Sequence, residues 1–294
     1  MNNAAICQLS VISVRADATD KAEIVTQLLF GELVDILDLS KAKKNWCQIR
    51  CDWDGYEGWT DIRQLRLIST EDAARYKNDY ALCLDHTAIL NNNDHFLPIT
   101  MGATLPCFDG FNCVLGEKHF TFGGQAILSI GTPAERGGIQ TKPEMIIKLA
   151  RRYLYTPYLW GGRSPFGIDC SGFTQIVFKM AGLRLRRDAS QQIEQGRLVD
   201  FAEQSQTADL AFFDNDKGKI VHVGMVMEGG FIIHASGQVR IDKLDHYGIF
   251  NEERGIYTHK LRLIKRLLPN IEKNISLENF DTQLDVVENQ ISMF

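Results

Sequence analysis

The chain is sparing in several respects, and each scarcity removes a class of protein. Its 7 cysteines are an odd number and contain no CxxC pair. The nearest pairs, Cys47 with Cys51 and Cys107 with Cys113, come without histidine or cysteine at zinc spacing. A disulfide scaffold and a zinc ribbon are therefore set aside, and reduced, mostly buried thiols are the default. No apolar run approaches the ~20 residues needed to cross a bilayer. The opening MNNAAICQLSVISVR has no basic segment followed by a clean apolar one, because Gln8, Ser10 and Ser13 interrupt it. The expectation is a cytoplasmic chain with no membrane partner. Basic residues are outnumbered, 32 Lys and Arg against 37 Asp and Glu, for a net charge of -5. No nucleic-acid partner is expected from that balance. Arg184, Arg186 and Arg187 form the one tight basic cluster and read as a solvated loop.

What remains is globular: 45% hydrophobic and 23% charged residues over 294 positions, enough for two or three domains. Residues 1–68 read as short strands, with Cys7, Leu9 and Val11 alternating, then Ile24–Leu29, Leu33–Leu39 and Trp46–Cys51. Asp54-Gly55 is a hairpin-type turn, and the whole predicts a small all-β barrel. Residues 69–80 predict a linking helix capped by Ser69. Residues 81–135 return to strand-like patterns broken by glycines, and a divergent second copy of the barrel is expected there. Residues 140–268 differ in kind. Thr141 and Glu144 have capping-box spacing ahead of Ile146, Leu149, Ala150 and Tyr153. After Cys170, Phe173, Ile176, Val177 and Met180 recur at helical spacing. A short helix follows Asp188, and antiparallel strands come after it, so this part is α+β. Residues 269–294 are a polar-amphipathic tail.

Chemistry concentrates around Cys170. At the first turn of a helix, free N–H groups and the helix dipole favour a thiolate, the nucleophilic form. A buried structural cysteine is the competing reading, and context alone leaves both open. His222 and His234 lie on neighbouring strands joined by Glu228-Gly229-Gly230. A two-residue turn would put them on opposite faces. A three-residue loop with Gly230 at positive φ pairs Gly224 with His234 and brings both imidazoles to one face. The missing side chain at Gly224 leaves room for a ring to turn. A cysteine and two histidines then supply nucleophile, base and orienter. The other five histidines, His259 among them, read as surface or satisfied residues. No third zinc ligand is evident, so no metal or other cofactor is expected.

The stretch from Tyr158 through Asp169-Cys170-Ser171-Gly172-Phe173, with the later His222-Val-Gly-Met-Val and Ile233-His234-Ala, resembles the signature of NlpC/p60 cysteine peptidases. The N-terminal region is similar to bacterial SH3-like domains of the murein-peptide-recycling subgroup, through Val14-Arg15-Ala16 and Glu23 to Glu32. The resemblance implies an α+β papain-like catalytic domain preceded by all-β SH3-like barrels. It implies hydrolysis of the γ-D-glutamyl-L-diamino acid bond in a short murein peptide with a free L-alanine amine. Cys170 would attack, His222 would carry the proton and His234 would orient it. The Cys170 N–H and the Tyr158 hydroxyl would hold the oxyanion. Tyr158, Asp169, Ser171 and Asp188 would surround the substrate, with Glu57 reaching in from the first barrel. A helix cap is the plain alternative for Asp188, and a surface position the plain alternative for Glu57. Two other functions compete: a related amidase or acyltransferase using the same pair, and a wall-binding protein with an idle catalytic fold.

Overall fold

In the computed structural model, residues 3–41, 44–93, 95–130 and 142–268 are described. The N-terminal unit contains β1 (Ala4–Cys7), β2 (Val11–Arg15), β3 (Ile24–Leu29), β4 (Leu33–Asp38), β5 (Trp46–Cys51), β6 (Glu57–Asp61) and β7 (Leu65–Leu67). They form one antiparallel sheet in the order β3-β2-β6-β5-β4-β1-β7. Alternation does the sorting: Ile12, Val14, Val34, Ile36, Cys47 and Ile49 point inward and form a closed core. The helix α1 (Thr70–Asn78) follows, with the Ser69 hydroxyl accepting from the Asp72 N–H at 2.9 Å.

Strands β8 (Asp79–Cys83), β9 (Thr87–Asn92), β10 (His95–Thr100), β11 (Thr104–Pro106), β12 (Asn112–Leu115), β13 (Lys118–Phe122) and β14 (Ala126–Ile130) make two small antiparallel sheets. Their orders are β10-β9-β13-β12 and β11-β8-β14. The helix α2 (Pro143–Arg151) begins at Lys142, which makes no side-chain cap, with Pro143 in the first turn. Thr141, expected to cap this helix, lies outside the described residues.

The C-terminal unit continues with β15 (Arg163–Ser164), β16 (Gly167–Ile168), α3 (Cys170–Met180), α4 (Ala189–Gln192) and β17 (Arg197–Val199). The strands β18 (Leu210–Asp214), β19 (Ile220–Met227), β20 (Phe231–Ser236), β21 (Gln238–Leu244), β22 (Gly248–Asn251) and β23 (Ile256–Arg266) follow. Their order is β17-β23-β18-β19-β20-β21-β22, and β22 also pairs with β23, so six strands close on themselves. Ala211, Phe213, Val226, Ile232, Ile249 and Ile264 fill the inside. The helix α3 is buried along its whole length and packs on β19 and β20.

A single carboxylate joins the three units. Glu32, on the turn after β3, takes Arg163 at 2.8 Å and Lys179 at 2.6 Å, all three nearly inaccessible. Lys179 also donates to the Gly102 carbonyl at 3.1 Å and to the Thr104 hydroxyl at 3.2 Å. Burial opposes the Glu32 charge, yet the two cations hold its carboxyl down at about 2. An apolar core runs through the same junction, from Leu29 and Phe30 past Met101 to Phe173, Ile176 and Val177. The first barrel is therefore fixed against the C-terminal unit.

Candidate active site

The nucleophile candidate opens α3. Asp169 caps the helix, with its Oδ1 accepting from the Gly172 N–H at 2.6 Å and its Oδ2 from the Gly161 N–H at 2.8 Å. Arg187 grips the same carboxylate at 2.6 and 3.0 Å, and also donates to the Ser171 hydroxyl at 2.9 Å and the Thr26 hydroxyl at 2.8 Å. Arg187 is only 1% exposed, so reading the basic cluster as a solvated loop fails here: the buried Asp169 anion draws the guanidinium inside. The rest of the cluster lies on the first barrel, Arg184 over the Trp53 ring at 4.7 Å and Arg186 on the Asp54 carbonyl at 3.1 Å. The side chains of Asp169 and Ser171 are committed to this lock.

Burial and the Asp169 anion push the Cys170 thiol up to about 12, against the N–H groups of Val223 and Ser171, which favour its thiolate. The helix start alone therefore does not ionise the thiol, and desolvation outweighs it. The Val223 N–H facing the sulfur puts Cys170 beside His222.

The β19–β20 register has the three-residue loop. Met227 pairs with Phe231 and Gly224 with His234, and Gly229 and Gly230 both take positive φ, 77° and 76°. A Cβ on Gly224 would lie 2.8 Å from the His234 Cβ, so only glycine permits this pairing. The His222 Nε2 and His234 Nδ1 are 2.8 Å apart. His234 Nε2 lies 2.9 Å from an Asp242 oxygen. Asp242, the fifth residue of β21, is itself held by Arg240 at 2.7 and 3.0 Å. Sequence reasoning missed this residue. A carboxylate on the strand next to His234 was the available signal.

These contacts fix the protons. A carboxylate only accepts, so His234 carries its proton on Nε2. Its bare Nδ1 accepts from His222 Nε2, which leaves the His222 Nδ1 lone pair free for a thiol proton. Burial keeps both rings neutral, His222 well below the usual histidine range.

A third imidazole joins them: His259, read as a surface or satisfied residue, is partly exposed and bonded to Thr258, and it also lies against this pair. Its ring stacks on His222 with centroids 4.1 Å apart and planes at 24°. One nitrogen from each of His222, His234 and His259 lies within 4.8 Å of the others. β23 was identified from sequence only as a closing strand, and closure of the sheet delivers the ring.

Tyr158 is half-buried, and burial with the Cys170 and Asp169 charges nearby pushes its phenol up, which keeps it a neutral donor. Asp188 is also half-buried, and burial raises its carboxyl. Arg187, next to it, is spent on Asp169, so Asp188 has no ion-pair partner among the described residues. Its contact from the first barrel is the Tyr56 hydroxyl, which donates at 3.2 Å. Glu57, expected to reach in, is exposed on β6 opposite Arg50, and its neighbour Tyr56 makes the contact.

Residues 155–256 match the NlpC/P60 family, and residues 14–65 match the bacterial dipeptidyl-peptidase Sh3 domain. The gamma-D-glutamyl-L-lysine dipeptidyl-peptidase of Bacillus cereus is 30% identical over 265 residues, covering 81% of this chain and 75% of that protein. The Bacillus subtilis protein of the same name is 30% identical over 224 residues, 72% of each chain. A solved NlpC/P60 family protein from Bacillus cereus superposes with a TM-score of 0.75 at 24% identity, covering 90% of this chain and 100% of that one. An NlpC/P60 endopeptidase from Photobacterium damselae subsp. piscicida superposes at 0.66 with 16% identity, over 92% and 74%. Matched at 30% identity along 75% and 72% of the two Bacillus relatives, this chain belongs to the NlpC/P60 family of cysteine peptidases.

Proposed function

We propose that the chain hydrolyses the γ-D-glutamyl-L-diamino acid bond of short peptidoglycan-derived peptides that begin with a free L-alanine amine. The observation that carries this is Asp188: a half-buried carboxylate without an ion-pair partner among the described residues, one residue past the Arg187 that anchors Ser171, and covered by Tyr56 of the first barrel. An unpaired carboxylate in such a place favours a cation. On this reading the first barrel, through Tyr56, walls off the end of the cleft and admits a short N-terminus only. The names of the two Bacillus relatives support the class of bond.

The reaction follows from the proton arrangement. The Cys170 sulfur attacks the γ-D-glutamyl carbonyl carbon while its proton passes to His222 Nδ1. The oxyanion receives the Cys170 N–H and the Tyr158 hydroxyl. His234 and Asp242 stabilise the positive charge that forms on His222. Collapse expels the diamino acid amine, which takes the proton from His222. Water, deprotonated by His222, then cleaves the thioester and releases L-Ala-γ-D-Glu. Within this reading the protein works in murein-peptide recycling in the cytoplasm. Its seven cysteines, free and buried, suit a reducing compartment. No helix among the described residues is long and apolar enough to cross a membrane.

The test compares L-Ala-γ-D-Glu-diaminopimelate with its N-acetylated form. Acetylation removes the charge and adds bulk at the Tyr56 wall, so kcat/KM should fall by orders of magnitude. Asp188→Asn should weaken turnover of the free-amine peptide while Cys170 stays reactive towards iodoacetamide. Equal cleavage of both peptides would refute the reading. A lysine-containing peptide run beside them reports which diamino acid is preferred.

A further inference from the structure

We propose that His222, His234 and His259 form a reversible capture site for a borderline transition-metal cation, with Zn²⁺ as the probe, and that its occupancy arrests the peptidase. One nitrogen from each ring lies within 4.8 Å of the others. Three neutral imidazoles and a water are a ligand set that zinc accepts, at ~2.0–2.1 Å per nitrogen. The His222 Nε2–His234 Nδ1 separation of 2.8 Å has to open slightly. His259 has to turn out of its stack, and its partial exposure at the sheet surface leaves it room to do so.

Two outer contacts suit this use. Asp242 lies on His234 Nε2 at 2.9 Å, the carboxylate–histidine arrangement that orients a ligating imidazole and raises its basicity. Thr258 Oγ1 lies 2.9 Å from His259 Nδ1, which leaves the far nitrogen of that ring for a metal. With Asp242 on its Nε2, His234 already presents a bare Nδ1 to the site, so that ligand needs no deprotonation at the bonding nitrogen. Binding through His222 Nε2 needs only a change of tautomer: the proton leaves Nε2, Nδ1 takes one up, and no net proton is released. A metal there ties down His222 and breaks its link to His234, so proton transfer from Cys170 stops. Removing the metal restores the hydrogen bond. The inference needs only the imidazoles and is independent of which peptide is cleaved.

The full chain carrying Cys170→Ala removes the thiol as a competing ligand, and calorimetric titration with Zn²⁺ reads the site directly. One ion per chain is expected, with Co²⁺ giving absorption of a nitrogen–oxygen site and no sulfur charge-transfer band. His259→Gln on this background should weaken Zn²⁺ binding by at least ~10–100-fold, since altering an outer contact alone costs that much in other sites. With Cys170 intact, Zn²⁺ should inhibit, EDTA should reverse it, and the inhibition constant in His259→Gln should rise by the same factor. Each variant is referred to its own metal-free rate. His259→Phe, which keeps a stacking ring, guards against a folding defect. Imidazole NMR of the Cys170→Ala chain needs no histidine variant: Zn²⁺ should shift three of the 7 histidines, those at 222, 234 and 259. Equal affinity with and without His259, loss of binding on Cys170→Ala, or shifts confined to other histidines would overturn the inference.

Discussion

Replacing His234 by asparagine, glutamine and alanine separates its two contacts. The ring receives His222 Nε2–H at its Nδ1, 2.8 Å away, and donates from its Nε2 to Asp242, 2.9 Å away. An asparagine amide oxygen falls near the Nδ1 position and keeps the contact to His222. A glutamine amide nitrogen falls near the Nε2 position and keeps only the contact to Asp242. Alanine keeps neither. During attack His222 becomes positively charged, and a hydrogen bond to a charged group contributes about 1.5–3 kcal/mol. That corresponds to ~10–150-fold in kcat. Asparagine should therefore retain most of the rate, with glutamine and alanine lower by roughly that factor. KM should hold in all three, because Asp188 and Tyr56 lie apart from this pair. The assay is steady-state cleavage of L-Ala-γ-D-Glu-diaminopimelate, with thermal melts to normalise for fold. A glutamine variant as active as the asparagine one, or an alanine variant with the parent rate, would refute the proton assignment.

Other outcomes follow from the same contacts. Cys170→Ala should fold and lose all hydrolysis, and residual turnover in that variant would place the nucleophile elsewhere. Glu32→Gln strands Arg163 and Lys179 in the core, so chemical denaturation should show a loss of ~3–5 kcal/mol; a change within error would mean the junction tolerates unpaired charge. Because the folded Glu32 carboxyl is lowered from 4.5 to about 2, its contribution is full above 4.5 and is lost as pH falls towards 2. The buried imidazoles titrate below 6.5 in the folded chain. The unfolded chain therefore binds more protons below 6.5, and stability should be constant above that pH and decline beneath it, by up to about 1.4 kcal/mol per pH unit per ring. A denaturation midpoint unchanged between pH 7.5 and 5.5 would contradict neutral burial. Gly224→Ala should depress kcat by displacing His234, and an unaffected rate would show that the strand pair can spread at no cost.

The barrel strands and α3 were legible because alternation and helical periodicity are local properties. The β19–β20 loop was legible because only the three-residue form pairs Gly224 with His234. Arg187, Asp242 and His259 were not. Arg187 sits among exposed arginines in sequence, and its burial depends on Asp169 eighteen residues earlier. Asp242 lies on β21, the hairpin partner of β20, a strand not identified in the sequence, and His259 reaches the site through β23, whose neighbours are decided by sheet closure. Tyr56 was not singled out beside Glu57, because its reach to Asp188 depends on how the first barrel docks 132 residues away in sequence. The lower thiol pKa expected from the helix start was reversed by burial, which sequence does not report.

Trapping the acyl-enzyme tests the central claim most directly. L-Ala-γ-D-Glu-diaminopimelate is mixed with the protein, quenched in acid within the first turnover, and the digest is mapped by mass spectrometry. The account predicts a thioester on Cys170 carrying L-Ala-γ-D-Glu, absent with the N-acetylated peptide. An adduct on another residue, an adduct retaining diaminopimelate, or equal labelling by the acetylated peptide would contradict it.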